Sequence, residues 1–295
     1  MSLKFDNTKV YGMPVFFGPD ASQARPPRDG KPQGSMLTYY QPATVEVIGV
    51  TYETERKVLE AMIPDCYTLN DPFINVSVCD FHHLGWAAGK SYNLINVNCP
   101  VHFKGEKDEL DGDLVMVMYE DQADPILRGR EQLGYSKIYA DIQPIEHDEQ
   151  YYRSGASEWD FKFMDLEIDT SKKAPDKDTF IANEARSEGK VHYKYIPRTG
   201  YKDEDIEDNF KDPEVAYPTC LPKWIKPDDY PYEIMKPEPV YCNGKVEFHE
   251  PTWEQFPTYY HVVKGLKSLA VKRIIGAKHV IYNDPCFYST CYRLK

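Results

Sequence analysis

The stretch "GREQLGYSKIYADI", residues 129 to 142, sets one lysine among aromatic and aliphatic residues, behind an Arg-Glu pair. Read as a strand over 133–140, it places Leu133, Tyr135, Lys137 and Tyr139 on one face. Gly134, Ser136, Ile138 and Ala140 fall on the other. The stretch predicts a strand with a cation in its apolar row.

Strand signals recur on both sides of it. "TVEVIGVTY" (44–52), "PFINVSVCDF" (72–81), "LINVNCPVHF" (94–103), "DLVMVMYED" (113–121), "WDFKFMDLEI" (159–168) and "KVHYKYIP" (190–197) are rich in β-branched and aromatic residues. One short helix is expected over "TERKVLEAMIPD" (54–65), with Thr54 capping, Val58, Ala61 and Met62 sharing a face, and Pro64 ending it. Near the C-terminus Leu266, Leu269, Ala270, Ile274 and Ala277 fit a helix, whereas "KHVIY" suits a strand. Short strands with few helical patterns predict a mainly β chain, α+β by class, folded as an antiparallel sandwich or barrel.

Residues 1–36 are rich in Gly, Pro, Asp and Arg and show no periodicity, so they read as an N-terminal arm. Residues 37–295 read as a single domain, with a long acidic, proline-rich excursion at about 199–240.

The 295 residues include 47 acidic and 35 basic ones, a formal charge of -12, and no basic run that could follow a phosphate backbone. Nucleic acid is not an expected partner. The start of the chain lacks the apolar core of a signal peptide, and no apolar run is long enough to span a bilayer, so a cytoplasmic protein without membrane contact is expected. Seven scattered cysteines lack zinc spacing and read as free thiols. His82 and His83 are strand neighbours that face opposite sides, one satisfied and one solvated, and His249-Glu250 lacks the second histidine of a zinc helix. No metal and no cofactor are expected.

Two readings of Lys137 are open from the residues alone. A lysine can snorkel past Tyr135 and Tyr139 to water with its stem on apolar surface. Alternatively, an amine moved out of water holds its proton less firmly and becomes a nucleophile. Attack on a carbonyl then gives an imine, an electron sink that serves decarboxylation, aldol chemistry and dehydration.

The quoted stretch resembles the signature of the acetoacetate decarboxylase family: Gly-Arg-Glu, several residues, then aromatic-Pro-Lys before an apolar strand. Gly129, Arg130, Glu131, Tyr135 and Lys137 fall into that register. "MVMYED" is similar to the family's preceding strand, "YETERKVLEAMIPD" to its first helix, and "HYKYIP" and "VEFHEPTWEQFP" to later strands, so the resemblance spans about residues 39–294. It implies an antiparallel β-barrel or cone, with Lys137 as the Schiff-base lysine of a lyase acting on a small carbonyl compound. It also implies an oligomer of identical chains. Tyr135, Tyr92, Met116 and Met118 are expected to line the pocket, with Arg130 and Glu131 in support.

The chain departs from the family at four places. Ser136 stands for the proline and Ile138 for a second lysine. "SYNLINVNCPV" holds no carboxylate between Tyr92 and Pro100, and "QPATVEV" lacks the arginine ahead of the first strand. Tyr92, Asn93, Asn96 and Asn98 offer neutral hydrogen bonds instead. Aldol or dehydration chemistry, on a natural-product intermediate for example, therefore rivals decarboxylation of an oxo acid. The alternative is a non-catalytic β-barrel that binds an apolar ligand.

Overall fold

β-Branched and aromatic residues favour extended backbone, and the described residues form fifteen strands joined in one sheet. The computed structural model describes residues 5–6, 11–19, 41–202, 211–226, 228, 230–285 and 291–295. The first strands are β1 (Ala43–Glu53), β2 (Tyr67–Leu69), β3 (Phe73–Leu84), β4 (Lys90–Lys104), β5 (Glu109–Glu120), β6 (Lys137–Tyr139), β7 (Asp141–Ile142) and β8 (Glu146–Asp148). The others are β9 (Tyr151–Glu158), β10 (Phe161–Lys173), β11 (Gly189–Ile196), β12 (Val215–Pro222), β13 (Val240–Phe248), β14 (Arg273–Asp284) and β15 (Tyr292–Arg293). Among the described residues the α-helices are α1 (Arg56–Glu60), α2 (Ala123–Arg128), α3 (Lys177–Arg186) and α4 (Tyr260–Ser268).

The main path runs β15-β12-β11-β5-β4-β3-β1-β14-β13-β10-β9-β7. Most neighbours are antiparallel, but β5 pairs in parallel with both β6 and β11. The mainly β expectation holds, and the sheet is mixed; no pairing joins its two end strands among the described residues.

Alternation along β1 sorts its side chains into two apolar clusters. Ile48, Val50 and Tyr52 join the larger core with Ile95, Val97, Val117 and Tyr119. Val45 and Val47 turn the other way, into a smaller cluster with Phe81, Tyr92, Leu94 and Val280. Lys137 belongs to this second face.

Several local expectations need correction. Helix α1 buries Leu59, while Ala61 and Met62 are exposed, and its first turn follows Glu55 with no side-chain cap. The Thr54 hydroxyl is buried without a hydrogen-bond partner among the described residues. His82 and His83 are both exposed, because the strand twists out at His83, whose φ is 60°. At the C-terminus α4 ends at Ser268 and Ile274 and Ala277 lie in β14. Part of the expected excursion, Val215–Pro222, pairs with β11. Most of the N-terminal arm lies outside the described residues.

Candidate functional site

The predicted strand over 133–140 is only three residues long, and the rest of the segment is a device that returns the chain to β5. Parallel neighbours need a crossover connection, and α2 followed by a π-helical turn at Gly129–Leu133 supplies it. The turn closes when Gly134 and Tyr135 both donate to the Gly129 carbonyl, at 2.9 and 3.0 Å. Gly134 stops it in the left-handed region, at φ 87°, where a Cβ would meet Lys194. Met118 then donates to the Ser136 carbonyl at 2.9 Å, and Lys137 sits directly across from Met118.

Register puts Asn96, Met118 and Lys137 in one row across β4, β5 and β6. Ile138, pointing the other way, enters the larger core. Lys137 is only 6% exposed. Its stem lies against the backbone of Gly129, where an added Cβ would come within 2.5 Å of Cδ and 2.9 Å of Nζ. The glycine of Gly-Arg-Glu is therefore the floor on which the amine rests.

The amine has two polar partners. Its Nζ lies 2.7 Å from Glu120 Oε1, a side chain fully shielded from solvent, and donates to the Pro125 carbonyl at 3.1 Å. Burial pushes the Glu120 carboxyl upward, while Lys137 and then the Tyr92 hydroxyl favour its ionised form. Tyr92 stacks on Phe81 with ring centroids 5.1 Å apart, which fixes the phenol that serves Glu120. Lys137 Nζ also lies 5.2 Å from the centroid of the Tyr135 ring.

Tyr135 in turn stacks on His192, at 3.8 Å and 16°. Burial holds the His192 imidazole well below its ordinary pKa, with Lys137 and Lys190 adding to the effect. Among the described residues both of its ring nitrogens lack hydrogen-bond partners, as do the Tyr135 hydroxyl and Asn96 Oδ1. Buried polar atoms are nearly always paired, so this group of orphans sets the surroundings of Lys137 apart from an ordinary apolar core.

Of the expected residues, the structure brings together Lys137, Tyr135, Tyr92 and Met118. Arg130 supports from outside, donating to the Lys137 carbonyl at 2.7 Å. Glu131 is exposed and faces the N-terminal segment, with Oε2 3.8 Å from a Cβ placed on Gly12. Met116 goes elsewhere. Pairing of β4 with β5 slips between Val97 and Asn98, so Met116 is an extra residue and packs on the larger core, while Met118 packs on the smaller cluster.

Glu120 and His192 were not among the expected site residues. Glu120 was visible only as the end of a strand, and its value depends on β6 returning beside it. A cleft of about 660 Å³ opens elsewhere, lined by Arg153, Lys162, Asp165, Glu167, Lys245 and Leu266 among others. Several of its charges are paired with one another, Glu167 with Arg153 and Lys245, and Asp165 with Lys162, and it holds none of the residues around Lys137.

Among the described residues no three His, Cys, Asp or Glu side chains are grouped to hold a metal ion, and no helix is long and apolar enough to cross a membrane.

Comparison with solved structures places this fold beside known proteins. An acetoacetate decarboxylase from Legionella pneumophila is 17% identical, with a TM-score of 0.58 and 83% of each chain covered. An acetoacetate decarboxylase-like enzyme from Sphingomonas wittichii RW1 is 13% identical, with a TM-score of 0.58, covering 92% of this chain and 99% of that one. The enduracididine biosynthesis enzyme MppR, complexed with pyruvate, is 15% identical, with a TM-score of 0.53 and coverage of 86% and 91%. No curated protein matches the chain. The family model described as acetoacetate decarboxylase matches residues 13–220, well over half of the sequence, and with the shared fold this means that the chain belongs to the acetoacetate decarboxylase family.

Proposed function

We propose that the protein is a Schiff-base lyase in which Lys137 attacks a small carbonyl compound. The observation that carries this reading is a lysine amine 6% exposed, resting on Gly129 and joined to a shielded carboxylate at 2.7 Å. Nucleophilic lysines need a means of shedding a proton in a dry site, and Glu120 is placed to take it. The orphaned atoms of Asn96, Tyr135 and His192 offer polar contacts around the reacting carbon. After imine formation, either carbon dioxide leaves from an oxo acid or the chain carries out aldol or dehydration chemistry. The relative MppR, solved with pyruvate and with a condensation product of pyruvate and imidazole 4-carboxaldehyde, supports a carbonyl ligand here.

The products separate the two outcomes. Wild-type protein is expected to turn over a carbonyl panel with Lys137→Ala inactive throughout. Released carbon dioxide marks decarboxylation, and condensation or loss of water without it marks the other route. Equal turnover by Lys137→Ala would refute the proposal.

A second reading draws on the same ion pair. Lys137 already has a carboxylate partner, as a structural lysine would, and a binding protein for an apolar ligand would show ligand affinity that survives Lys137→Met.

The protein is further proposed to assemble from identical chains in the cytoplasm. Phe16 and Phe17 are 72% and 88% exposed in the N-terminal segment, apolar surface that a neighbouring chain would cover. The described cysteines are free thiols, as a reducing compartment favours. A monomer mass at micromolar concentration would contradict the assembly.

A further inference from the structure

Resting on the imine reading, the placement of Lys137 can be traced one layer outward, to the side chains that hold its turn. The helix that starts as α2 runs on through the π-helical turn and stops at Gly134. The last carbonyls of a helix have no partners within it. Two of them here are met by side chains from β11 and β12. Lys194 Nζ donates to the Gln132 carbonyl at 3.2 Å, and Thr219 Oγ1 donates to the Leu133 carbonyl at 3.0 Å. Cys291 Sγ, 3.8 Å from the same Leu133 oxygen, adds a weaker donor.

Register explains why these groups arrive together. His192 and Lys194 are two residues apart on β11 and share a face, and Thr219 lies directly across from His192 on β12. Residues 132–135 lie on that face as a block. Gln132 meets the Lys194 amine, and Gly134 meets its stem, where an added Cβ would come within 2.4 Å of Lys194 Cβ. Tyr135 completes the block by stacking on His192. Lys194 and Thr219 are both buried. An ammonium taken out of water for a neutral carbonyl contributes little to folding. What it supplies is a cation on the negative end of the helix.

The same block sets the amine. Gly134 and Tyr135 donate back to the Gly129 carbonyl, and the Lys137 amide donates to the Tyr135 carbonyl at 2.8 Å. Gly129 is the floor under the Lys137 stem, while Glu120 is fixed separately in β5. A turn released at Gln132 and Leu133 would therefore shift floor and lysine together relative to the carboxylate. A misplacement of about 1 Å can cost on the order of 100-fold in rate.

We infer that Lys194 and Thr219 are positioning residues for Lys137. By holding the two carbonyls that end the π-helical turn, they keep the amine on Gly129 and within reach of Glu120. They act through the turn, whatever class of carbonyl compound the amine attacks.

The test is the rate of borohydride trapping at Lys137 with acetone, pyruvate and acetoacetate, located by peptide mass. Thr219→Val keeps the side-chain shape and removes the donor, whereas Thr219→Ser keeps the donor and removes the methyl group. Lys194→Met keeps the stem and removes the ammonium. Wild-type protein is expected to give an adduct with at least one of the three compounds. With that compound Thr219→Val and Lys194→Met should be slower by about tenfold or more, at a temperature where near-UV circular dichroism shows each variant folded. Thr219→Ser should stay within about threefold of wild type, a rescue that packing of the methyl group would not give. A wild-type rate in either Thr219→Val or Lys194→Met, or Thr219→Ser as slow as Thr219→Val, would overturn the inference while leaving the imine intact. No adduct on Lys137 with any of the three compounds would overturn the imine reading and this inference with it. If one of the two slowed variants does not fold, the other decides.

Discussion

Gly129 shows how one missing methyl group can create a site. Its backbone is helical, so the glycine is required by close approach, because Lys137 occupies the space of a Cβ. Gly129→Ala is expected to cost about 1–3 kcal/mol of stability from overpacking and to reduce borohydride trapping at least tenfold. A melting temperature and a trapping yield both unchanged would contradict the contact. The Lys137–Glu120 pair makes a sharper stability prediction. Glu120→Leu leaves a buried cation without its partner and should cost about 3–5 kcal/mol in urea unfolding, most of it recovered in the Glu120→Leu/Lys137→Met double variant. Strictly additive losses would show that the two groups do not interact. At this scale the sequence announced Lys137, because Gly-Arg-Glu and the aromatic before the lysine fall into register with a known signature. Glu120 could not be recognised, because an acidic residue ending a strand is ordinary until a parallel neighbour delivers an amine to it. His192, the fourth residue of β11, gave no signal either.

Elements decide which of two methionines reaches the site. Simple alternation along "VMVMYE" puts Met116 and Met118 on one face, but the extra residue in β5 turns Met116 into the larger core. Met116→Ala is expected to lower unfolding free energy by about 1–2 kcal/mol with trapping preserved, whereas Met118→Ala should weaken trapping with a smaller stability loss. The reverse pattern would refute the bulge. Bulges of this kind leave no mark in a sequence that alternates cleanly through them. The same limit applied to 133–140, where the expected strand shrinks to Lys137–Tyr139 behind a glycine-ended π-helical turn. Between β1 and β14, Glu46 accepts from His279 at 2.7 Å, and that bond holds its carboxyl below the ordinary value. A lowered folded value stabilises above the unfolded pKa and is lost as pH falls through the folded one. Glu46→Gln should therefore cost about 1 kcal/mol near neutral pH, and the difference should vanish in acid, well below about pH 4. A gap of the same size at both ends, measured by urea midpoints, would contradict the bond.

The whole molecule was legible where strands were long and regular. β1, β3, β4, β5, β10 and β11 lie where runs of β-branched residues predicted them, because each must bury at least one face. β9, α3 and β12 were missed: "YYRSGASE" and "KDTFIANEAR" carry too few apolar residues for a clear period, and two prolines interrupt "VAYPTCLP". Their places are set by neighbouring strands in a sheet whose pairings join distant segments. That long-range assembly brings β5, β6 and β11 together, and with them the amine, the carboxylate and the stacked Tyr135–His192 pair. The central claim is that this assembly makes Lys137 an imine-forming nucleophile. A tryptic map after borohydride reduction with carbonyl compound tests it directly, since trypsin does not cut at an alkylated lysine. The prediction is a single peptide spanning residues 131–153 that carries the added mass. Unmodified peptides 131–137 and 138–153 at full yield, after exposure to the whole panel, would contradict it.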